Sequence, residues 1–193
     1  MFTALLGWSL AIASALTILP TPIKLLRKNS SCGVSSLTSI VAIVAMLSWS
    51  FYTLNLKDYP ALASSLGPLL CWSATLYLLA FKYQQKNAKI YLLAITPLLI
   101  IIGFLPTKLQ GSLAVIGSLL WALPQLKKAF TSSSLKGISV LSYLFVALEN
   151  LAWVGYALLT KHYAYAFAPL LQGPVALLIA LKANLDKSRS PAK

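Results

Sequence analysis

The chain alternates between long apolar stretches without basic residues and short polar segments that carry most of the charge. Each stretch is about 18 residues or longer, which is enough for a helix to cross the hydrocarbon core of a bilayer. One of them contains a single acidic residue, Glu149. The stretches are Met1–Ile23, Asn29–Leu56, Tyr59–Phe81, Ile90–Thr107, Leu109–Leu126, Gly137–Thr160 and His162–Leu181. The pattern predicts an all-α membrane protein with seven transmembrane helices.

Composition agrees with this prediction. The 193 residues are 59% hydrophobic and 10% charged, whereas a soluble domain is about half apolar and about one quarter charged. The chain has three acidic residues, one histidine and two cysteines. These provide neither a nucleophile–base set nor a metal-ligand cluster, so the sequence predicts no enzyme, no metal site and no cofactor.

The basic residues predict the orientation of the spans. Thirteen of the 16 Lys and Arg residues follow spans 1, 3, 5 and 7, and only Lys57, Lys108 and Lys161 lie on the opposite side. Lys and Arg accumulate in cytoplasmic loops, so the N-terminus is predicted outside and the C-terminus in the cytoplasm. The net charge of +13 thus reflects orientation and attraction to anionic lipid. No nucleic-acid partner is predicted.

The two ends of the chain repeat one pattern. Shifted by 104 residues, 18 of the 60 positions from Gly7 to Leu66 are identical to their counterparts. The matches include Pro20 with Pro124, Gly33 with Gly137, Trp49 with Trp153, Tyr52 with Tyr156, and Lys57 with Lys161. Spans 1–3 and 5–7 are therefore predicted to be repeats. Span 4 between them would make the two copies parallel, a transporter architecture with the substrate site expected between the halves.

This 3+1+3 organisation divides the sequence into four predicted parts. Residues 1–81 form the first repeat, 82–108 the linker with the fourth span, 109–183 the second repeat, and 184–193 a basic cytoplasmic tail.

Two prolines occupy equivalent places near the cytoplasmic ends of spans 1 and 5. Pro20 and Pro124 each remove a backbone hydrogen bond and clash with the carbonyl four residues earlier, on Leu16 and Leu120. Two interpretations remain open: paired hinges that move during transport, or static kinks that shape the bundle.

The second proline begins a Pro-Gln dipeptide in LPQLKKAFTSSSLKGIS, and the first repeat has LPTPIKLLRKNSSCGVS at the same place. The position of these segments, each between a span and a basic loop, resembles the PQ-loop superfamily, which includes the SWEET sugar transporters. The resemblance covers nearly the whole chain. It implies the seven-helix transporter fold and assigns Pro124 and Gln125 to its hinge region.

The segments WSFYTLNLKDYPALASS and WVGYALLTKHYAYAFAP resemble the half-size relatives of these transporters. In that family the Trp stacks on the sugar, which implies this role for Trp49 and Trp153. The following Tyr and an Asp six residues later help form the outer gate. This implies a gate role for Tyr52 and Tyr156, which also count as candidate substrate contacts, and for Asp58.

The same family has an Asn sixteen residues after each Trp that hydrogen-bonds the sugar. Here those positions are Ser65 and Pro169, and His162 stands in place of the second gate Asp. Ser65 is kept as a candidate substrate contact. Gln172, a polar residue inside span 7, is either a replacement for the missing Asn or a hydrogen-bond donor between helices.

Glu149 lies at the middle of span 6, where an acidic side chain is costly and usually faces a cavity or a partner. It shares one helical face with Trp153 and Tyr156 through the spacing i, i+4, i+7. Three interpretations remain open: a proton-coupling carboxylate, a contact to a polar or cationic substrate group, or a neutral Glu bonded to another helix. Asn150 points about 100° away, towards a neighbouring helix or the substrate.

These observations predict a plasma-membrane transporter that moves a small polar metabolite by alternating access. The short loops indicate the inner membrane of a bacterium. The family resemblance makes sugar the first substrate class. Alternatives are a proton-coupled transporter of amino acids or cationic metabolites that uses Glu149, and a receptor like the retention-signal receptors that share this helix plan. The expected partners are a small molecule, the bilayer and, if coupled, a proton. Both a monomer and a homo-oligomer agree with the sequence.

Overall fold

The computed structural model describes residues 1–27, 31, 34–131 and 140–188, with side chains for all of these except 121–131, 142 and 186–188. Within these ranges the secondary structure is helical and contains no strand. The helices are α1 Phe2–Ile18, α2 Pro20–Arg27, α3 Ser36–Asn55, α4 Tyr59–Phe81, α5 Lys86–Phe104, α6 Thr107–Thr131, α7 Val140–Thr160 and α8 Ala164–Ser188.

Six segments of the described residues are long and apolar enough to cross a membrane. They are Phe2–Arg27, Ser36–Asn55, Tyr59–Phe81, Lys86–Phe104, Tyr143–Thr160 and Ala164–Leu185. The predicted fifth span, Leu109–Leu126, lies within α6, a helix of 25 residues. The all-helical, multi-pass architecture is confirmed, while the count of seven spans and the orientation of the termini stay predictions. Of the basic residues behind that orientation, Lys28, Lys136, Arg189 and Lys193 lie outside the described residues.

The first span differs from its prediction at Pro20. The sequence places this proline inside one helix, whereas α1 ends at Ile18 and α2 begins at Pro20 itself. Proline lacks the N–H that a continuous helix requires, but the first position of a helix does not need it. The Leu19 N–H still donates to the Ala15 carbonyl at 3.0 Å. The span is therefore two helices joined at a bend.

Equivalent turns follow α3 and α7. Lys57 and Lys161 both have left-handed backbones, with φ of 57° and 59°, a region that non-glycine residues seldom adopt. After the first turn, Asp58 caps α4 by accepting a hydrogen bond from the Ala61 N–H at 3.2 Å. The two turns thus end their helices in the same way, at residues that are counterparts in the sequence repeat.

The chain forms two compact units, Met1–Trp121 and Ala122–Lys193, with the division inside α6. In the first unit α4 is central, because α1, α2, α3 and α5 all pack against it. A Cβ atom added to Gly67 of α4 would lie 2.8 Å from the Ala15 Cβ of α1. The absent side chain therefore allows these two helices to approach closely.

The end of α2 is held by the segment that follows α4. The Lys82 Nζ donates to the carbonyls of Leu25 and Leu26 at 2.9 and 2.8 Å, and the Tyr83 hydroxyl donates to the Leu25 carbonyl at 2.9 Å. These carbonyls lie at a helix C-terminus, where a cation is favourable. The short helix after the bend is thereby fixed to α4.

In the second unit α7 packs along α8. A Cβ atom added to Gly173 of α8 would lie 3.3 Å from the Asn150 Cβ of α7. Two prolines, Pro169 and Pro174, lie inside α8. Membrane helices tolerate such prolines because neighbouring groups satisfy the freed carbonyls.

Buried and exposed positions are distributed as expected for a bilayer. Large apolar side chains such as Leu93 and Phe104 are 80% and 88% exposed, which suits contact with lipid tails. Helix contacts instead bury small and hydroxyl side chains, including Ser39, Ser48 and Thr75. Their hydroxyls donate to the carbonyl four residues earlier, so each of these three buried hydroxyls has a partner.

Candidate functional site

Trp49 and Tyr52 lie one helical turn apart on α3, and both side chains are half-buried. Their rings meet edge to face, with centroids 5.8 Å apart and planes at 71°, a favourable geometry for aromatic pairs. The indole N–H of Trp49 donates to the Ser118 Oγ of α6 at 3.0 Å, and that hydroxyl donates to the Ala114 carbonyl at 2.8 Å. The tryptophan ring is therefore oriented from two sides.

Glycines of α6 allow α3 to approach closely around this pair. A Cβ atom at Gly111 would lie 2.9 Å from the Tyr52 ring, and one at Gly117 would lie 2.8 Å from the Ala45 Cβ. Small residues at a helix interface permit such contact in membranes. We call this contact, formed by Ala45, Trp49, Tyr52 and Asn55 on α3 and their α6 partners, the α3–α6 seam.

One end of the seam is closed by a side-chain amide network. The Asn55 Nδ2 donates to the Gln110 Oε1 at 2.9 Å, and the Gln110 Nε2 donates to the Ile102 carbonyl of α5 at 3.0 Å. Gln110 is fully buried. The sequence analysis missed these residues, although an amide inside an apolar stretch is the signal that could have found Gln110.

Trp153 and Tyr156 form the counterpart pair on α7. Their centroids are 5.6 Å apart and their planes meet at 84°, close to the geometry of Trp49 and Tyr52. Tyr165 of α8 extends the group, with its ring centroid 6.0 Å from both Trp153 and Tyr156. Tyr156 and Tyr165 are each 3% exposed. The sequence analysis did not select Tyr165.

His162 lies in the loop between α7 and α8, where its position at the end of a span places it. Its side chain is half-buried. Its ring meets that of Tyr165 edge to face at 5.7 Å. His162 therefore belongs to the aromatic cluster of the second unit.

The polar candidates of the second unit lie on α7 and α8. Glu149 precedes Trp153 by one turn of α7, and both Glu149 and Gln172 are half-buried and interact with other groups. Asn150 is 8% exposed, faces Gly173, and donates from Nδ2 to the Val146 carbonyl at 2.8 Å. Its amide is thus bonded within α7 and its Cβ lies close to α8, while its role in substrate binding stays a prediction.

Ser65 and Asp58 have defined partners in the first unit. Ser65 is 3% exposed and its hydroxyl lies 2.9 Å from that of Ser50, so it joins α4 to α3. It also donates to the Leu62 carbonyl at 2.8 Å. Asp58 is the α4 cap described above. A substrate contact from Ser65 would require its bond to Ser50 to open.

The hinge candidates differ in whether the helix is interrupted beside them. Pro20 marks the bend between α1 and α2, whereas Pro124 and Gln125 lie within the continuous helix α6. The side chains of Pro124 and Gln125 lie outside those described. In the described part of the chain no group of three His, Cys, Asp or Glu side chains could hold a metal ion.

Comparison with known proteins finds a similarity over most of the chain. The chain is 24% identical over 184 residues to a bidirectional sugar transporter, SWEET14 of Arabidopsis thaliana. The match covers 86% of this chain and 66% of that protein. No family model matches the chain. The similarity extends over most of the sequence and suggests a family of the SWEET or PQ-loop type.

Proposed function

We propose that this chain is a multi-pass membrane transporter that moves a sugar by alternating access of two parallel three-helix repeats. The similarity to a sugar transporter supports the substrate class. Passage down the sugar's own gradient in either direction is the simplest mechanism, because the relative is named bidirectional. We assign the protein to the plasma membrane, specifically the inner membrane of a bacterium.

The observation that carries the proposal is the pairing of the two Trp-x-x-Tyr segments. Both pairs meet edge to face, at 5.8 Å and 71° in α3 and at 5.6 Å and 84° in α7. An aromatic face suits the apolar C–H face of a sugar ring. One such platform therefore lies in each predicted repeat.

The proposed site combines these platforms with polar groups. Trp49 and Trp153 stack on the sugar, with Tyr52 and Tyr156 behind them. Glu149 and Gln172 bond its hydroxyls, with contributions from Asn150 and Ser65. Asp58 belongs to the outer gate, and Pro20, Pro124 and Gln125 belong to the regions that bend. The relative is named a transporter, in agreement with the absence of an enzymatic residue set from the sequence.

The comparison gives no support to the amino-acid or receptor hypotheses. Uptake by the purified protein in proteoliposomes separates them from the proposal. A mixed panel of sugars and amino acids would be tested with and without an inward proton gradient, using empty liposomes as the control. We expect sugar uptake that does not depend on the gradient. Gradient-driven uptake of an amino acid without sugar uptake would replace the proposal by the Glu149-coupled alternative.

A further inference from the structure

The two tryptophans differ in what their indole N–H groups do. The N–H of Trp49 is donated to Ser118, whose single hydroxyl proton is donated to Ala114. This chain of bonds is closed within the protein. Trp49 therefore has a fixed ring but no free donor to offer a ligand.

Trp153 has the same spacing to its tyrosine but a different environment. Its ring is held edge to face by Tyr156 and Tyr165. Among the described residues, however, its indole N–H has no hydrogen-bond partner. The side chain is only half-buried.

An unpaired donor in an apolar membrane span is unfavourable until it finds an acceptor. Sugar hydroxyl groups are acceptors, and a sugar ring also has an apolar C–H face. A tryptophan with a free N–H can bind both, whereas one with a satisfied N–H can bind only the face.

We propose that the tryptophans have unequal roles in recognition: Trp49 provides a stacking face that Ser118 positions, whereas Trp153 provides a face and a hydrogen bond to one sugar hydroxyl. This inference rests on the proposed function and assigns specificity within that site. Ser118 is a positioning residue, because it acts on the ligand through the Trp49 ring.

Replacement by phenylalanine tests the role of Trp153, because it keeps an aromatic face and removes the N–H. Affinity would be measured for a transported sugar and for its series of monodeoxy analogues. We expect Trp153→Phe to lower the affinity for the parent sugar about fivefold to tenfold, because one hydrogen bond is lost. One analogue, lacking the partner hydroxyl, should bind the variant and the wild type equally. For Trp49→Phe no analogue should show this insensitivity.

A double-mutant comparison tests Ser118. Ser118→Ala should raise KM about threefold or more with little change in maximal rate, because the Trp49 ring loses its orientation. Adding it to Trp49→Phe should cause no further loss. Ser112→Ala is the matched control, since Ser112 is exposed on the same helix and donates to the Lys108 carbonyl at 3.0 Å. The Ser112→Ala variant loses the same kind of intrahelical bond, but no indole group is affected.

Indole N–H resonances give a measurement that does not depend on transport. On titration with sugar in lipid nanodiscs, the Trp153 indole resonance should shift, and the Trp49 resonance should shift less. The inference would be overturned, and the proposed function kept, if Trp153→Phe lowered the affinity for every analogue equally. Additive effects of Ser118→Ala and Trp49→Phe would have the same consequence. A folded wild type that binds no sugar would overturn the proposed function with it.

Discussion

Gln110 shows how a single buried amide can join three helices. Its carbonyl accepts from Asn55 of α3 and its amide nitrogen donates to the Ile102 carbonyl of α5, while Gln110 itself belongs to α6. It is fully buried. Burying an amide costs free energy unless hydrogen bonds compensate, and here both ends of the amide are used.

Gln110→Leu should therefore lower the free energy of unfolding. The variant introduces an apolar side chain of similar size and leaves the Asn55 amide and the Ile102 carbonyl without this partner, at a cost of about 1–3 kcal/mol. Thermal unfolding in detergent measures the effect. Asn87→Ala, at an exposed position of α5, is the control and should leave the melting temperature unchanged. Equal melting temperatures for Gln110→Leu and wild type would contradict the structural role.

Glu149→Gln should leave the protein folded and change transport or its pH dependence. The variant keeps the size of the half-buried side chain but cannot ionise, so any interaction that requires the carboxylate is lost. We expect uptake to fall roughly fivefold or more at one or more of the pH values tested, because the loss of one hydrogen bond costs about 1 kcal/mol. Size-exclusion chromatography checks folding. Unchanged flux at every pH would reduce Glu149 to a packing residue.

Sequence reasoning located the aromatic pairs but not most of their partners. Trp49, Tyr52, Trp153 and Tyr156 follow from a local spacing repeated twice in the chain, whereas the contact of Trp49 with Ser118 joins residues 69 positions apart. Such contacts depend on how one helix is rotated and shifted against another. Span lengths and spacing within one helix do not determine this.

The α3–α6 seam joins a helix of the first predicted repeat to the first helix of the second. Its contacts extend from Ala45 to Asn55, three turns of α3, and each uses a small or polar partner on α6. Helices in a bilayer gain no hydrophobic free energy by associating, so close packing and hydrogen bonds must hold them together. The seam provides both.

Gly117→Ala should destabilise the protein, because its new Cβ would lie 2.8 Å from the Ala45 Cβ. Overpacking of this kind costs about 1–3 kcal/mol. Ala45→Gly in the same chain should restore part of the loss by removing the clashing atom.

Gly155→Ala is the matched control, because nothing lies within 4 Å of a Cβ added at Gly155. There the substitution should raise stability by roughly 0.5–1 kcal/mol, since alanine favours a helix over glycine. If both glycine variants changed the melting temperature alike, the close approach of α3 and α6 would be wrong.

The helices themselves were more predictable than their contacts. The predicted Tyr59–Phe81 span coincides with α4 at both ends, because Asp58 and Pro60 begin a helix by local chemistry. Pro20 shows the limit of such reasoning. A proline within an apolar stretch can bend a continuous helix or divide it, and here α2 begins at the proline, with its far end held by Lys82 and Tyr83.

For the molecule as a whole, orientation in the membrane is a prediction that rests on charge alone. Cysteine substitutions at Lys57 and Lys86, in a chain with Cys32 and Cys71 replaced by serine, would test it with a membrane-impermeant maleimide. We expect Lys57→Cys to react in intact cells and Lys86→Cys only after permeabilisation, because basic loops remain in the cytoplasm. The opposite pattern would invert the predicted topology.

The predicted two-repeat organisation is based on the 104-residue sequence shift. Two structural features occur at positions related by this shift. Lys57 and Lys161 adopt the same left-handed conformation, and the two Trp–Tyr pairs have similar distances and angles. The compact units divide after Trp121, in the middle of α6, whereas the predicted second repeat begins at residue 109, near the start of that helix. Sequence similarity identifies corresponding residues, but packing decides which helices associate.

The central claim is that one tryptophan in each predicted repeat binds a transported sugar. Sugar counterflow in proteoliposomes tests this claim most directly. Labelled sugar would be exchanged against unlabelled sugar for wild type, Trp49→Ala and Trp153→Ala. Trp8→Ala is the control, at an α1 side chain that is 50% exposed. We predict exchange by wild type and Trp8→Ala, and a loss of about tenfold or more in each of the other variants, from stacking worth about 1–2 kcal/mol. Full exchange by Trp49→Ala and Trp153→Ala would contradict the account.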